Sequence, residues 1–380
     1  MGEATEPFGE LPRFLRRHLS RDTRFFDVPA ALTLESGQCL EGVRIAYRTW
    51  GDARNAADNA VLICHALTGS ADADEWWPDI IGEGRAFDPR RDFIVCSNIL
   101  GSCYGTTGPV SLRPGSRERY RAAFPRITVR DMVEVQRLLL DHLGVRRLAV
   151  VTGPSLGGMQ ALEWAAMYPD RVESIVPIGV GGRHSAWCIA MSEAQRHAIY
   201  GDPNWANGHY HDDATPERGL AAARMMAVCS YRSWASFERR FGRARRDDGE
   251  FEMQSYLRHQ GRKINERFDA NTYVRLTQAM NDYDLSRGRG EYTAAVSCIR
   301  QPALVVSISS DTLYPPQEQR LLADALPHAS YEILDSPEGH DGFLIQSAEL
   351  GDLIVRFREN RAAQPLRMAA GRARLSAVAE

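Results

Sequence analysis

Lysine is almost missing from this chain: of 46 basic residues only Lys263 is not an arginine. That leaves no Gly-Lys-Ser/Thr of a phosphate-binding loop, and the polar flanks of "GRKINE" argue against a desolvated, Schiff-base-forming amine. No apolar run approaches the roughly 20 residues that cross a bilayer. The opening "MGEATEPFGELPRFLRRHLS" starts with acids and has no apolar centre, so neither a membrane span nor a signal peptide is expected. Seven cysteines without C-x-x-C or other zinc spacing point to a reducing, cytoplasmic setting rather than a disulfide framework. An excess of one charge is missing too. A net charge of −3 suggests no polyanionic partner such as nucleic acid, and 44% hydrophobic with 25% charged residues is an ordinary globular balance.

What is present is a series of short apolar or β-branched runs: "VRIAYRTW" (43–50), "AVLIC" (60–64), "DFIVCSNI" (92–99), "RLAVVT" (147–152), "ESIVPIGV" (173–180), "PALVVSIS" (302–309) and "SYEIL" (330–334). The central ones are nearly all apolar, as strands buried on both faces are. Helical patterns lie between them. "TVRDMVEVQRLLLDHLG" opens with Thr128 and Asp131 in capping-box spacing and stops at Gly144. This alternation predicts an α/β fold with a mostly parallel sheet and right-handed crossovers. It breaks over 185–297, where nearly every pattern is helical and "GDPNWANGHYHDDATPERG" is a turn-rich link. A helical lid inserted between two core segments, 1–184 and 298–360, accounts for this. It would sit above the sheet's carboxyl edge, where such folds keep their ligand crevice. The tail 361–380 reads as a frayed helix or disordered end.

In "RLAVVTGPSLGGMQALEWA", Gly153, Ser155 and Gly157 form G-x-S-x-G where a strand passes into a helix. A serine in such a strained turn needs neighbours without a Cβ, and the Leu156 amide at the positive helix end can donate to an oxyanion. A serine hydroxyl needs a base, and an imidazole held by a carboxylate suits that task. Both should follow the serine at the ends of the last strands. Asp311 in "SSDTLYPP" and His340 in "DSPEGHDGF" occupy those places. Leu67, in the loop after "AVLIC", is the expected second oxyanion amide. His65 is an alternative base, although a strand-end histidine there more often shapes its loop. Taken singly, each match has an ordinary explanation. Taken jointly, in the required order, they predict a Ser-His-Asp triad.

Other features carry less. His209 and His211 with Asp212 and Asp213 lack a third histidine or cysteine nearby, so no metal site is expected. "ADADEWWPDIIGEG" reads as a loop pinned by Trp76 and Trp77. Gly101, Gly105 and Gly108 do not follow dinucleotide spacing, and Cys103 reads as a buried small residue. The arginines of "YRSWASFERRFGRARR" read as a solvated helix face, with phosphate binding as the lesser alternative.

"HALTGS", "SNILGSCYGTTGP", "SLGGMQALEWA", "RHSAWCIAMSEAQR", "FDANTYVRLTQAM" and "GHDGFL" together resemble the homoserine O-acetyltransferases of the α/β-hydrolase fold, over about residues 25–355. The resemblance implies acyl transfer from acetyl-CoA to the hydroxyl of L-homoserine through an acyl-serine, in methionine biosynthesis, by a cytoplasmic homodimer with no permanent cofactor. It implies Ser155 as nucleophile, Asp311 as orienting acid and His340 as base. It also implies Arg224 for the acceptor carboxylate with Tyr231 nearby, and Asp341 for the ammonium. Pro154 and Leu156 depart from the family pattern and leave succinyl-CoA as donor, or serine as acceptor, open. An ordinary serine esterase on the same triad is the alternative from another class.

Overall fold

Nearly continuous apolar runs are stable only where both sheet faces are covered, and the central strands occupy that position. The computed structural model describes residues 11–55 and 57–376; the expectations for residues 1–10 and 377–380 lie outside them. One sheet contains β1 (Arg24–Asp27), β2 (Arg44–Trp50), β3 (Ala60–Ile63), β4 (Phe93–Ser97), β5 (Leu148–Pro154), β6 (Ile175–Ile178), β7 (Ala303–Ile308) and β8 (Ala329–Leu334). Their spatial order is β1-β2-β4-β3-β5-β6-β7-β8. β2 pairs antiparallel with β1 and β4, and every other neighbouring pair is parallel. The seven expected strands all form. β1 escaped the sequence reading because "RFFD" is a short edge strand with both ends exposed, and it shows no alternation.

The helices are α1 (Val129–His142), α2 (Leu156–Met167), α3 (Ala186–Tyr200), α4 (Glu217–Tyr231), α5 (Trp234–Arg240), α6 (Glu252–Asn265), α7 (Ala270–Asn281), α8 (Tyr292–Ser297), α9 (Pro316–Ala325) and α10 (Ser347–Ser376), besides short turns. The Thr128 capping box forms at α1. Asp131 N–H donates to Thr128 Oγ1 at 3.2 Å, and Thr128 N–H donates to Asp131 Oδ2 at 2.8 Å; such a cap contributes about 1 kcal/mol. Strand side chains alternate between two apolar layers. Leu62, Val151 and Val305 face the layer holding α1 and α2, and Ile63, Val306 and Ile308 face the layer holding Trp77 and α10. The tail continues α10 to Ser376, so up to that residue it is helix rather than irregular chain.

Between Ile178 and Ala303 the described residues add no strand to the sheet; they form α3 to α8. Ser185 caps α3 and Asp269 caps α7, each accepting a backbone N–H through its side chain. Residues 201–216 are turns apart from one 3-10 turn. Among the described residues, no helix is long and apolar enough to cross a membrane.

Candidate active site

Four strand ends on the sheet's carboxyl edge place Leu67, Ser155, Asp311 and His340 with Asp341, and α4 of the insertion brings Arg224 and Tyr231. Ser155 follows β5 directly, with φ 55° and ψ −121°, in the left-handed half of backbone space. Such a conformation costs roughly 1–3 kcal/mol in a non-glycine residue and persists only where the surroundings enforce it. Two glycines allow the approach that enforces it here. A Cβ on Gly157 would lie 2.0 Å from the Cys64 carbonyl oxygen, and one on Gly153 2.2 Å from the same atom. Gly157→Ala should therefore destabilise the fold by about 3 kcal/mol, an overpacking cost that chemical denaturation would measure. The Ser155 N–H donates to the Ile178 carbonyl at 2.8 Å, tying the turn to β6.

Asp311 and His340 meet after β7 and β8. His340 Nδ1–H donates to Asp311 Oδ2 at 2.7 Å. Asp311 Oδ1 accepts the N–H groups of Leu313 at 2.8 Å and Tyr314 at 2.9 Å, so the carboxylate cannot swing. Ser155, Asp311 and His340 are 5%, 3% and 3% exposed. Burial by itself lowers the His340 pKa, but the charge and hydrogen bond of Asp311, with the charge of Asp341, outweigh it and hold the value above 6.5. Nδ1 being engaged, Nε2 is the ring nitrogen left for chemistry. Among the described residues neither Nε2 nor Ser155 Oγ has a hydrogen-bond partner, and both residues line one cavity of about 350 Å³. Such bonds commonly close only once substrate is bound.

Leu67, Arg224, Tyr231 and Asp341 line the same cavity. The Arg224 guanidinium lies over the Tyr231 ring, 5.6 Å from its centroid. Burial pushes the Asp341 pKa up, and the positive charges of Arg224, His340 and Arg232 only partly offset it. The Leu67 and Leu156 amides have no partner among the described residues, Leu156 because it opens α2. Pro154 is also on the wall. All eight residues singled out for the site therefore gather there: six line the cavity, Asp311 lies behind His340, and Leu156 follows Ser155 as the first residue of α2.

His65 takes no place on the cavity. Its Nδ1 donates to the Ala66 carbonyl at 2.8 Å, its Nε2 accepts the Ile99 N–H at 3.2 Å, and burial lowers its pKa to about 4. Trp77 pins its loop through Nε1–H to the Phe343 carbonyl at 2.9 Å, but Trp76, Asp72 and Glu75 of that stretch line the cavity, which corrects the reading of it as packing alone. Asp212 pairs with Arg119 and Arg121, and no group of metal-ligating side chains occurs among the described residues. Cys103 is buried with its pKa raised. The arginines of 231–246 are absent from the cavity wall. Arg232 and Arg239 instead bind Glu338, and a Cβ on Gly339 would lie 2.5 Å from the Tyr231 carbonyl oxygen, so α4 is seated against the histidine loop. Glu338, and Tyr104 and Arg267 on the cavity wall, escaped sequence reading because ordinary residue types in unremarkable spacing signal nothing until the fold joins them.

Residues 59–346 match the alpha/beta hydrolase fold family. A homoserine O-acetyltransferase of Nostoc punctiforme is 56% identical over 346 residues, spanning 90% of this chain and 97% of that one. The chain belongs to the homoserine O-acetyltransferase family. Its counterpart in Chlorobium luteolum is 52% identical over 94% of this chain and 98% of its own. Among solved structures, the homoserine O-acetyltransferase of Bacillus anthracis superposes with TM-score 0.81 at 25% identity, covering 88% of this chain and 97% of that chain. Esterase E22 superposes with TM-score 0.82 at 27% identity, covering 88% and 99%. Family membership and the α/β-hydrolase fold thus agree with the reading of the sequence motifs.

Proposed function

We propose that the protein transfers an acetyl group from acetyl-CoA to the hydroxyl of L-homoserine by two half-reactions through an acetyl-serine. Ser155 Oγ attacks the thioester carbon while His340 Nε2 takes its proton, and the carbonyl π pair moves onto oxygen, facing the Leu67 and Leu156 amides. Collapse breaks the carbon–sulfur bond, and the thiolate leaves with the proton held by His340. Homoserine then repeats the sequence: its hydroxyl loses a proton to His340, its oxygen bonds to the acetyl carbon, and the Ser155 oxygen departs and regains the proton. Asp311 holds the imidazole orientation and stabilises the imidazolium throughout.

One observation carries the choice of transfer over hydrolysis: a cation and an anion, Arg224 and Asp341, share the cavity with Ser155. A zwitterionic acceptor gripped at both charges can outcompete water, and an arginine fork suits a carboxylate. The insertion contributes Arg224 and Tyr231, which supports its role as a roof that keeps water from the acetyl-serine. Seven free cysteines suit a cytoplasmic setting, and the exposed Trp187, Met226 and Trp234 of the insertion suit a homodimer. Methionine biosynthesis is the pathway that this reaction serves in the proposal. Thiol release from acetyl-CoA tests the assignment. Release that depends on homoserine supports transfer, and equal release in buffer alone supports hydrolysis, the reading that the likeness to esterase E22 favours. Trials with succinyl-CoA and with serine settle donor and acceptor, since one small group in a pocket shifts discrimination by only ~1–3 kcal/mol.

Arg224→Ala should lower kcat/KM for homoserine about a hundredfold, from the roughly 1.5–3 kcal/mol of a charge-assisted hydrogen bond. Acetylation of Ser155 by acetyl-CoA should change little, as rapid-quench mass measurement of the acetyl-enzyme would show. An equal loss in both halves would count against a carboxylate-binding role.

A further inference from the structure

Arg267, in the link between α6 and α7, has no part in the roles above, yet its side chain reaches from the insertion to the loop after β3. Nη1–H donates to the Thr68 carbonyl at 2.8 Å and to the Tyr104 hydroxyl at 3.0 Å, and Nη2–H donates to Thr68 Oγ1 at 3.3 Å. Among the described residues, the two bonds to Thr68 are the insertion's only hydrogen bonds to residues 65–70. Thr68 belongs to a tight turn closed by the Gly69 N–H on the Ala66 carbonyl at 2.9 Å, and Leu67 is the residue before it. His65 holds the other flank of that turn, and a Cβ on Gly69 would lie 2.9 Å from the His65 Cβ. The link is itself anchored. The Glu266 carbonyl accepts from His18 Nε2 at 2.9 Å and Arg17 Nη2 at 3.2 Å, and Phe268 is buried edge-on to Tyr104.

From this geometry we infer that Arg267 is a positioning residue of the oxyanion site: by gripping the Thr68 peptide it fixes where the Leu67 N–H points relative to Ser155. The inference rests on the acetyl-serine reading. It makes formation of the roof a condition for an aligned oxyanion hole, because the grip comes from the insertion and the amide from the core. Both tetrahedral intermediates place their negative charge on the same carbonyl oxygen, so a misaligned Leu67 amide must slow both halves alike. Direct contact of Arg267 with one substrate would instead affect that substrate's half.

The test measures acetylation by acetyl-CoA and deacetylation by homoserine separately, by rapid quench and mass measurement, in the full chain and in Arg267→Met and Arg267→Lys. Arg267→Met should slow both rate constants by a common factor of about 30, within the range expected for loosened positioning of one donor, with both KM values nearly unchanged. Arg267→Lys, which keeps a cationic donor for the Thr68 carbonyl, should recover most of the loss. A loss confined to one half, a rise in one KM at constant rate, or a lysine variant no better than methionine overturns the inference. Unchanged rates in Arg267→Met overturn it as well, while normal acetylation of the unmodified chain keeps the functional reading intact. If the unmodified chain forms no acetyl-serine, it is the functional reading that fails.

Discussion

Ser155→Ala should form no acetyl-enzyme and lose on the order of a millionfold in kcat, the scale set by removing a nucleophile from a triad that acts as a unit. The loss follows from chemistry rather than from collapse of the fold. Alanine occupies the same φ of 55° as the serine does, and the contacts that enforce the turn are made by the glycines and by the Ser155 backbone N–H, all of which survive. The melting temperature should therefore stay close to that of the unmodified chain, and the cavity should still take up substrate. Mass measurement after mixing with acetyl-CoA gives the decisive reading. An acetyl adduct on the Ser155→Ala chain, or turnover within tenfold of normal, would remove the nucleophile assignment.

Asp311→Asn should cost on the order of ten-thousandfold in kcat and also change the pH profile. The first effect comes from orientation. Asp311 Oδ2 accepts from His340 Nδ1, whereas an asparagine whose NH₂ points there favours the opposite tautomer and takes away the lone pair on Nε2 that must receive the serine proton. The second effect comes from charge. Only neutral imidazole is a base, so the acetylation rate of the unmodified enzyme should rise with pH through a midpoint above 6.5, where Asp311 and Asp341 outweigh burial. With the Asp311 charge gone, burial dominates and the midpoint should move down. Acetylation rates between about pH 5 and 9, which span the ordinary histidine pKa of about 6.5, would measure both in the unmodified chain and the variant. A midpoint that stays put, or moves upward, would mean that His340 is not the titrating base.

Much of this site was legible because its grammar is local. Gly153, Ser155 and Gly157 fall where one apolar run stops and a helix starts, and the glycines are required by the closeness of the Cys64 carbonyl. Asp311 and His340 could be named because each follows one of the last two strands: β7, buried along its length, is a nearly unbroken apolar run, and β8, partly exposed, is marked by Tyr331, Ile333 and Leu334 before a turn-rich stretch. β1 gave no such signal, being a short edge strand. Trp76 shows a different limit. Aromatic residues in a polar stretch predict burial, but which of two neighbours packs inward and which faces a cavity depends on the partner surface. Trp77 found the Phe343 carbonyl, 266 positions away, and Trp76 was left on the cavity wall.

Periodicity, capping and turn chemistry act over a few neighbouring positions, so residue order alone was enough for the α/β framework, for the helical nature of 185–297 and for the choice of Ser155, Asp311 and His340, whereas Arg224, Tyr231 and Asp341 were named from the family resemblance. Packing in space was needed to consume the His65 ring on backbone partners, to tie the histidine loop to α4 and α5 through Glu338, and to bring Arg267 to Thr68 across 199 positions. Those contacts depend on distance in space, which residue order encodes only through the packing of the whole chain.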